Sequence, residues 1–442
     1  MMRPFVETLE GDPSLPGEVD IVVIGGGIVG CSAALRAAEL GHRVALVEKG
    51  RIAGEQSSRN WGWVRRMGRD VAEYPLGIES LRIWDTLAQR LGHETGFRRS
   101  GIVYTAHTDA EMAWIEKVAA DADRFGIGAQ RLTRAQLAER FPGASLPARA
   151  GLFTEDDGRA EPSLAAPAIA RGARVKGAKI LTGCAVRSIE TSAGAVSGVV
   201  TERGTIRCRS VILAGGAWSR LFLGNLGIDL PQLRVRGSVL RTAPLKGGPA
   251  HALGNGDFGI RPRLDGGYTI SRRGRARVQI TPDSFRLLTK FLPALRKNRG
   301  ELALTVDRGM WDGLTTARRW ADDAVTPFER CRVLDPEPRE AELARTMRAV
   351  EAAFPAFKDA RIAQKWGGII DVTPDAVPVI GPAAQIPGLT LATGFSGHGF
   401  GIGPAAGQLA VELATGAAPL VDPTPFRADR FGTMPATAQA AE

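Results

Sequence analysis

The chain has 442 residues, 44% of them hydrophobic and 24% charged, a balance that supports a large buried core and excludes a disordered or fibrous chain. The net charge of +10 is regional: residues 231–300 carry 15 Lys and Arg against 3 Asp and Glu, which leaves the remainder close to neutral. Four scattered cysteines, Cys31, Cys184, Cys208 and Cys331, form no C-x-x-C pair, so a disulfide framework and a metal site are both excluded and reduced, cytoplasmic thiols are expected.

The first 20 residues are polar with scattered acids, unlike a signal peptide. VDIVVI (19–24) reads as a buried parallel strand. Gly25-Gly26-Gly27-Ile28-Val29-Gly30 follows, then a helix-forming run, CSAALRAAEL, ended by Gly41, and a second strand, HRVALVE (42–48). Amphipathic helices are predicted over 76–91 and 110–125, with a strand at 101–106 between them. A helix is predicted over 162–173, with Pro162 in its first turn. Short strands follow to about 214 and again through 231–281, and helices near 283–297 and 339–353. The chain closes with a strand (389–395), a glycine-rich turn, a helix from about 402 to 415 and a flexible tail. No segment has the length and apolarity of a membrane span.

The spacing Gly25-x-Gly27-x-x-Gly30 lies between a strand and a helix, with Glu48 at the end of the next strand. That context makes it a dinucleotide fingerprint. The glycines permit a tight turn and let backbone N–H groups approach a pyrophosphate at a helix N-terminus, while Glu48 accepts from ribose hydroxyls. The fingerprint alone does not choose between NAD and FAD. Two further segments bear on that choice: SVILAGGAWS (210–219), a strand entering a small-residue turn, and GFSGHGFGIGPAAGQLA (394–410), a strand, a glycine turn and a helix.

With EQSSRN (55–60), CAVRSIE (184–190), W-G-G-x-x-D-x-T-P-D (366–375) and GFSGHGFG (394–401), the chain resembles the D-amino-acid oxidase, glycine oxidase and sarcosine oxidase family along most of its length. The resemblance implies an α/β fold, with a Rossmann-like FAD-binding domain of the glutathione-reductase type and a second, antiparallel-sheet α+β substrate domain. It divides the chain into a discontinuous FAD domain (17–75, 146–230 and 355–430), a substrate domain (76–145 and 231–354) and a tail (431–442). It assigns to the cofactor Gly25, Gly27, Ile28, Val29, Gly30, Glu48, Lys49, Ser57, Ser58, Arg59, Asn60, Val186, Ala214, Gly215, Trp218, Gly368, Gly397, His398, Gly399, Phe400 and Gly401. Trp61 and Trp63 are expected to wall the flavin site, and Tyr104 and Tyr268 are candidate pocket groups. The helix after the last glycine turn would direct its positive end at a reduced flavin.

The chain departs from the family pattern in ways that matter. Gly368 stands where some members attach FAD through cysteine, and Arg59 and Asn60 where others use histidine, so dissociable FAD is expected. Ile370 and Gly401 replace the familiar cationic anchors for a substrate carboxylate. Replacement anchors are sought among Arg65, Arg66, Arg261 and Arg263, with Arg261 and Arg263 on one face of a strand. Thr269 falls about where sarcosine oxidases place a lysine that speeds reaction with O2, which favours a dehydrogenase. His398 is read as positioning the flavin in preference to acting as a base.

The expected reaction is oxidation of a C–N bond in a small amine or amino acid, D-configured or N-substituted, followed by hydrolysis of the imine. The alternative is oxidation of a C–O bond in a 2-hydroxy acid or a glycerol-phosphate-like anion. The expected partners are that small molecule and an electron acceptor, whether quinone, partner protein or O2; nucleic acid is discounted. The basic region 231–300, with an amphipathic helix at 284–297, is a candidate for peripheral contact with the inner face of a membrane.

Overall fold

The protein is described by a computed structural model covering residues 3–273, 276–297 and 302–432. From residue 433 onward, the expected tail lies outside the described residues. Strand β1 (Ile21–Ile24), helix α1 (Ile28–Glu39) and strand β2 (Val44–Val47) form the leading βαβ unit. Both strands are buried along their length, and β1 sits centrally in a six-stranded sheet. Around it run, in spatial order, Val379–Pro382, Leu389–Thr393, Ser210–Leu213, β1, β2 and Lys179–Leu181. All neighbours are parallel except the outermost pair, Val379–Pro382 with Leu389–Thr393. A three-stranded antiparallel sheet from residues 186–207 packs beside it.

The second body is a ten-stranded mixed sheet. Its longest pairing joins Leu233–Thr242 to Ile362–Val372 in antiparallel register, with Gly237 opposite Gly368 and Val235 opposite Ile370. Three assignments move relative to the sequence reading. Helix α3 (Tyr74–Leu91) buries Leu76, Leu81, Trp84 and Leu87 in the core shared with α1 and the C-terminal helix Gly399–Thr415, so it belongs with the nucleotide-binding sheet. Strands Ala150–Thr154 and Ile362–Val372 were expected in the FAD domain but are part of the large sheet. The cause is register: these strands continue the ladder of the larger sheet, which local pattern does not reveal.

Local differences are small and have reasons. Helix α1 begins at Ile28, three residues earlier than its propensity suggests, because Gly30 must sit inside the first turn. A Cβ there would lie 1.9 Å from the Gly25 carbonyl oxygen. The helix expected at 162–173 spans Ala165–Val175, leaving Pro162 outside it. The helix expected near 283–297 breaks into Pro282–Arg286 and Leu288–Lys297. The C-terminal helix starts at Gly399.

Glycine also governs how the helices pack. At Gly407 a Cβ would meet the Ala33 nitrogen at 2.6 Å and Ser32 Cβ at 2.7 Å; at Gly403 it would meet Ile28 at 2.8 Å. We predict that Gly30→Ala and Gly407→Val each destabilise the fold by about 3 kcal/mol or more, since overpacking here strikes backbone. Gly17→Ala, with nothing within 4 Å of the new Cβ, leaves stability unchanged. Thermal unfolding of the three variants checks this.

Candidate active site

A cavity of about 710 Å³ opens where β1, β2 and Ser210–Leu213 end at their carboxyl edges, and it runs under the large sheet. This is the crevice where open α/β sheets bind ligands. At one end it is lined by Gly25, Gly27, Ile28 and Val29, by Glu48 and Lys49, and by Ala214, Gly215 and Trp218. Gly397, His398, Gly399, Phe400 and Gly401 form another wall, and Gly368 with Ile370 a third. The other end is aromatic: Trp61, Trp63, Tyr104 and Trp114.

Two helix N-termini face this space. Neither α1, preceded by Gly27, nor the C-terminal helix, preceded by His398, has its first turn capped by the side chain of the preceding residue. For α1 the Ile28 N–H donates to Ser57 Oγ at 2.8 Å. Their positive ends can therefore stabilise an anion or a carbonyl oxygen in the cavity. Gly25, at φ +111°, turns the chain within 2.4 Å (Cβ to carbonyl) of Ala214, a conformation and a spacing that exclude a side chain. At Gly27 the only close neighbour of a new Cβ is Ser57 Oγ, at 3.1 Å; beyond it lies the cavity. The fingerprint glycines thus divide into those that build the turn and one that keeps the space open.

Glu48 accepts from the Gly26 N–H through Oε2 and from the Gly50 N–H through Oε1, both at 2.7 Å. Burial raises its pKa, and those amides and Lys49 oppose the rise. Lys49 donates to Glu55 and to the carbonyls of Cys331 and Arg332, and its ammonium lies 4.4 Å from the centre of the Trp218 ring. Asn60 bonds the Ser57 carbonyl and the Gly62 N–H. Val186 also lines the cavity.

Several expected residues are elsewhere or otherwise engaged. Gly30 is inside the turn, and Ser58 donates to the Glu55 carbonyl, so neither lines the cavity. Arg59 reaches the wall, but its guanidinium is spent on Asp335 at 2.6 Å and on the Gly367 carbonyl at 2.8 Å. Arg66 turns away to Asp157 at 3.0 Å and lines a separate small cleft. Arg261 is buried against Glu161, with contacts of 2.8 and 3.1 Å, and donates to Thr269. Arg263 pairs with Asp265 outside the cavity. These three are corrected as substrate anchors: each guanidinium is already matched to a carboxylate of its own. Thr269 is buried beside Arg261; two residues on, Ser271 reaches the cavity. Tyr268 packs in the core of the large sheet against Phe357.

Among the arginines that do line the cavity at its aromatic end are Arg65 and Arg273. Arg65 is held by Nη1, which donates to the Met67 and Gly68 carbonyls. Arg273 lies over Tyr104 and Trp114, 4.4 and 4.8 Å from their ring centres. Arg65 was among the expected anchors. Arg273, Trp114 and Arg69 were not read from the sequence. Trp114 carried no signal, since it occupies one face of an ordinary amphipathic helix.

The whole-chain comparison decides the family. The model of FAD dependent oxidoreductases called DAO matches residues 20–413. The chain belongs to this family. It is therefore an FAD-dependent oxidoreductase. Sarcosine oxidase subunit beta of Arthrobacter sp is 28% identical over 97% of this chain and 94% of its own length. Glycine oxidase of Pseudomonas putida is 25% identical over 92% and 97%. L-Amino acid deaminase from Proteus myxofaciens, solved in complex with anthranilate, superimposes with a TM-score of 0.93 at 33% identity, covering 97% of each chain.

The residues of the cavity fit FAD: a glycine cradle, two helix N-termini facing it, and a buried Trp63 Nε1 in its wall with no partner. Gly27→Val is predicted to fold with near-normal thermal stability yet to lose FAD. Flavin-to-protein stoichiometry of the purified variant, set beside its unfolding curve, checks this.

Proposed function

We propose that the protein oxidises an L-amino acid with a large apolar or aromatic side chain. The observation that carries the reading is the aromatic end of the cavity, where Trp61, Trp63, Tyr104 and Trp114 adjoin Arg65 and Arg273. An arginine fork matches a carboxylate in two parallel hydrogen bonds. An apolar side chain gains by leaving water for aromatic walls. The similarity to L-amino acid deaminase supports the L configuration over the D or N-substituted substrate expected from sequence.

When bound, FAD supplies the hydride acceptor. The fingerprint turn and the start of α1 would hold its pyrophosphate. Glu48 would meet the ribose, exchanging one amide partner for a hydroxyl. The start of the C-terminal helix would face the electron-rich edge of the ring. The remaining work is positioning: arginine fixes the carboxylate, the aromatic walls fix the side chain, and the Cα–H is held toward the ring. Arg59 packs its side chain against Gly368, with 3.3 Å from a Gly368 Cβ position to Arg59 Cβ. Neither position offers a nucleophile, which supports dissociable FAD.

A peripheral membrane contact belongs to the same proposal. Among the described residues, Phe285, Leu288, Leu292, Trp311 and Leu314 are exposed within one segment, Trp311 at 67% and Phe285 at 65%. Lys290, Arg296 and Lys297 stand on the same stretch. Apolar residues beside cations suit an anionic bilayer surface. Among the described residues no helix is long and apolar enough to cross a membrane. The acceptor proposed is then a membrane quinone, favoured over O2.

Arg65→Ala and Arg273→Ala separate the anchors. Losing a charge-assisted bidentate contact costs about 1.5–3 kcal/mol, so the true anchor raises KM by about 10- to 150-fold for amino acids. Steady-state kinetics with leucine, phenylalanine, sarcosine and 2-hydroxy acids, using an artificial quinone as acceptor, measure this. Activity confined to 2-hydroxy acids overturns the C–N reading. Sedimentation with anionic vesicles at low and high salt tests the membrane contact, which weakens as salt rises.

A further inference from the structure

The turn before the C-terminal helix meets the start of α3 in a buried polar cluster. His398 Nδ1 lies 3.2 Å from Glu73 Oε1, and Arg69 Nη1 donates to Glu73 Oε2 at 3.1 Å. Arg69 Nε in turn donates to the Arg65 carbonyl at 2.8 Å. The Glu73 carboxylate is wholly buried, whereas His398 keeps 25% of its side chain exposed and lines the cavity. Glu73 closes the short turn Val71–Glu73 that leads into α3, so its carboxylate is fixed by the scaffold.

The charges define the tautomer. Burial alone would raise the pKa of Glu73, but the hydrogen bond from His398 and the charges of Arg69 and Arg65 outweigh it and keep the carboxylate ionised. Burial lowers the pKa of His398, and Arg65 and Arg69 add to that, against the pull of Glu73. Burial also brings Arg69 down to about 10, still a cation at neutral pH. The imidazole is therefore neutral, with its hydrogen on Nδ1 toward Glu73 and a lone pair on Nε2.

We propose that Glu73 is a positioning residue that holds His398 with Nε2 as proton acceptor on the cavity wall, and that His398 takes a proton from the ammonium group of the amino acid. This rests on the amino-acid reading above. An α-ammonium has no lone pair to drive loss of hydride from Cα. Proton transfer breaks an N–H bond, forms the Nε2–H bond and leaves the pair on the substrate nitrogen. That pair enters the C=N bond as the Cα hydride leaves to FAD, which takes both electrons. The imidazolium is balanced by the Glu73 carboxylate and returns its proton to solvent. Arg65 stands close enough to depress proton affinity of the imidazole, so the group that would bind the carboxylate neighbours the group that would bind the amine.

The test is the pH profile of kcat/KM for wild type, Glu73→Gln and His398→Gln, each with measured FAD content. His398→Gln is expected to lose about a hundredfold at neutral pH. Its deficit shrinks by about tenfold for each pH unit toward the substrate amine's own pKa, because neutral amine then arrives unaided. Wild type loses activity as pH falls through the depressed His398 pKa, below 6.5. Glu73→Gln removes the charge that favours imidazolium, so this acidic limb moves to still lower pH while the plateau falls. A His398→Gln deficit constant across pH overturns the base, and an unmoved limb in Glu73→Gln overturns the positioning role. Should Glu73→Gln not fold, the His398→Gln profile decides. If no amino acid reduces even the wild-type flavin, the substrate reading has failed instead.

Discussion

The contact on which the rest depends is the close crossing of α1 with the C-terminal helix. Gly403 and Gly407 remove the side chains that would hold the two apart, and Ile28, Ser32 and Ala33 fill the space. The crossing brings two N-termini from opposite ends of the sequence to one cavity. Ser80 and Trp84 of α3 then donate to the Gly401 carbonyl, at 2.7 and 2.8 Å, and fix the first turn of the C-terminal helix. With that turn fixed, His398 and Glu73 face each other. The electrostatics of the site are thus a consequence of small residues in a helix interface, some distance from any charge.

The arginines illustrate how charge is partitioned. Arg59 straps α2 (Gln56–Arg59) to Asp335 and to the Gly367 carbonyl. Arg261 neutralises Glu161 inside the second body. Arg234 lies over Trp218, with 4.8 Å to the ring centre, and donates to the Ala217 carbonyl. So part of the basic excess of residues 231–300 is internal, and composition overstates how much of it faces solvent. A buried guanidinium without its carboxylate would be costly, which is why Arg59 and Arg261 are each paired with one. The arginines of the aromatic end are held differently: Arg65 donates to the Met67 and Gly68 carbonyls, and Arg273 lies over the rings of Tyr104 and Trp114.

What the sequence made legible follows local rules. The βαβ unit, the fingerprint and the last glycine turn each depend on spacing within some 30 residues, and the structure has those elements close to their expected positions. Features set by distant partners were not legible. Alternation put Arg261 on a defined face of its strand, but only the position of Glu161, 100 residues away, shows that face to be closed. Strands Ala150–Thr154 and Ile362–Val372 look alike for either sheet, and register decided between them. Arg273 follows a strand in a run of arginines, and nothing local separates the one that stacks on Tyr104 and Trp114. The partner of His398 was illegible for the same reason, since Glu73 lies 325 positions earlier.

On the proposed reading one cavity takes FAD at its glycine end and an amino acid at its aromatic end. A crystal structure of the FAD-loaded protein with an aromatic carboxylate measures this directly. The pyrophosphate is expected at the start of α1, the carboxylate on Arg65 or Arg273, and the ring among Trp61, Trp63, Tyr104 and Trp114. A carboxylate bound by Arg66, Arg261 or Arg263, or a ligand outside the aromatic end, would contradict it.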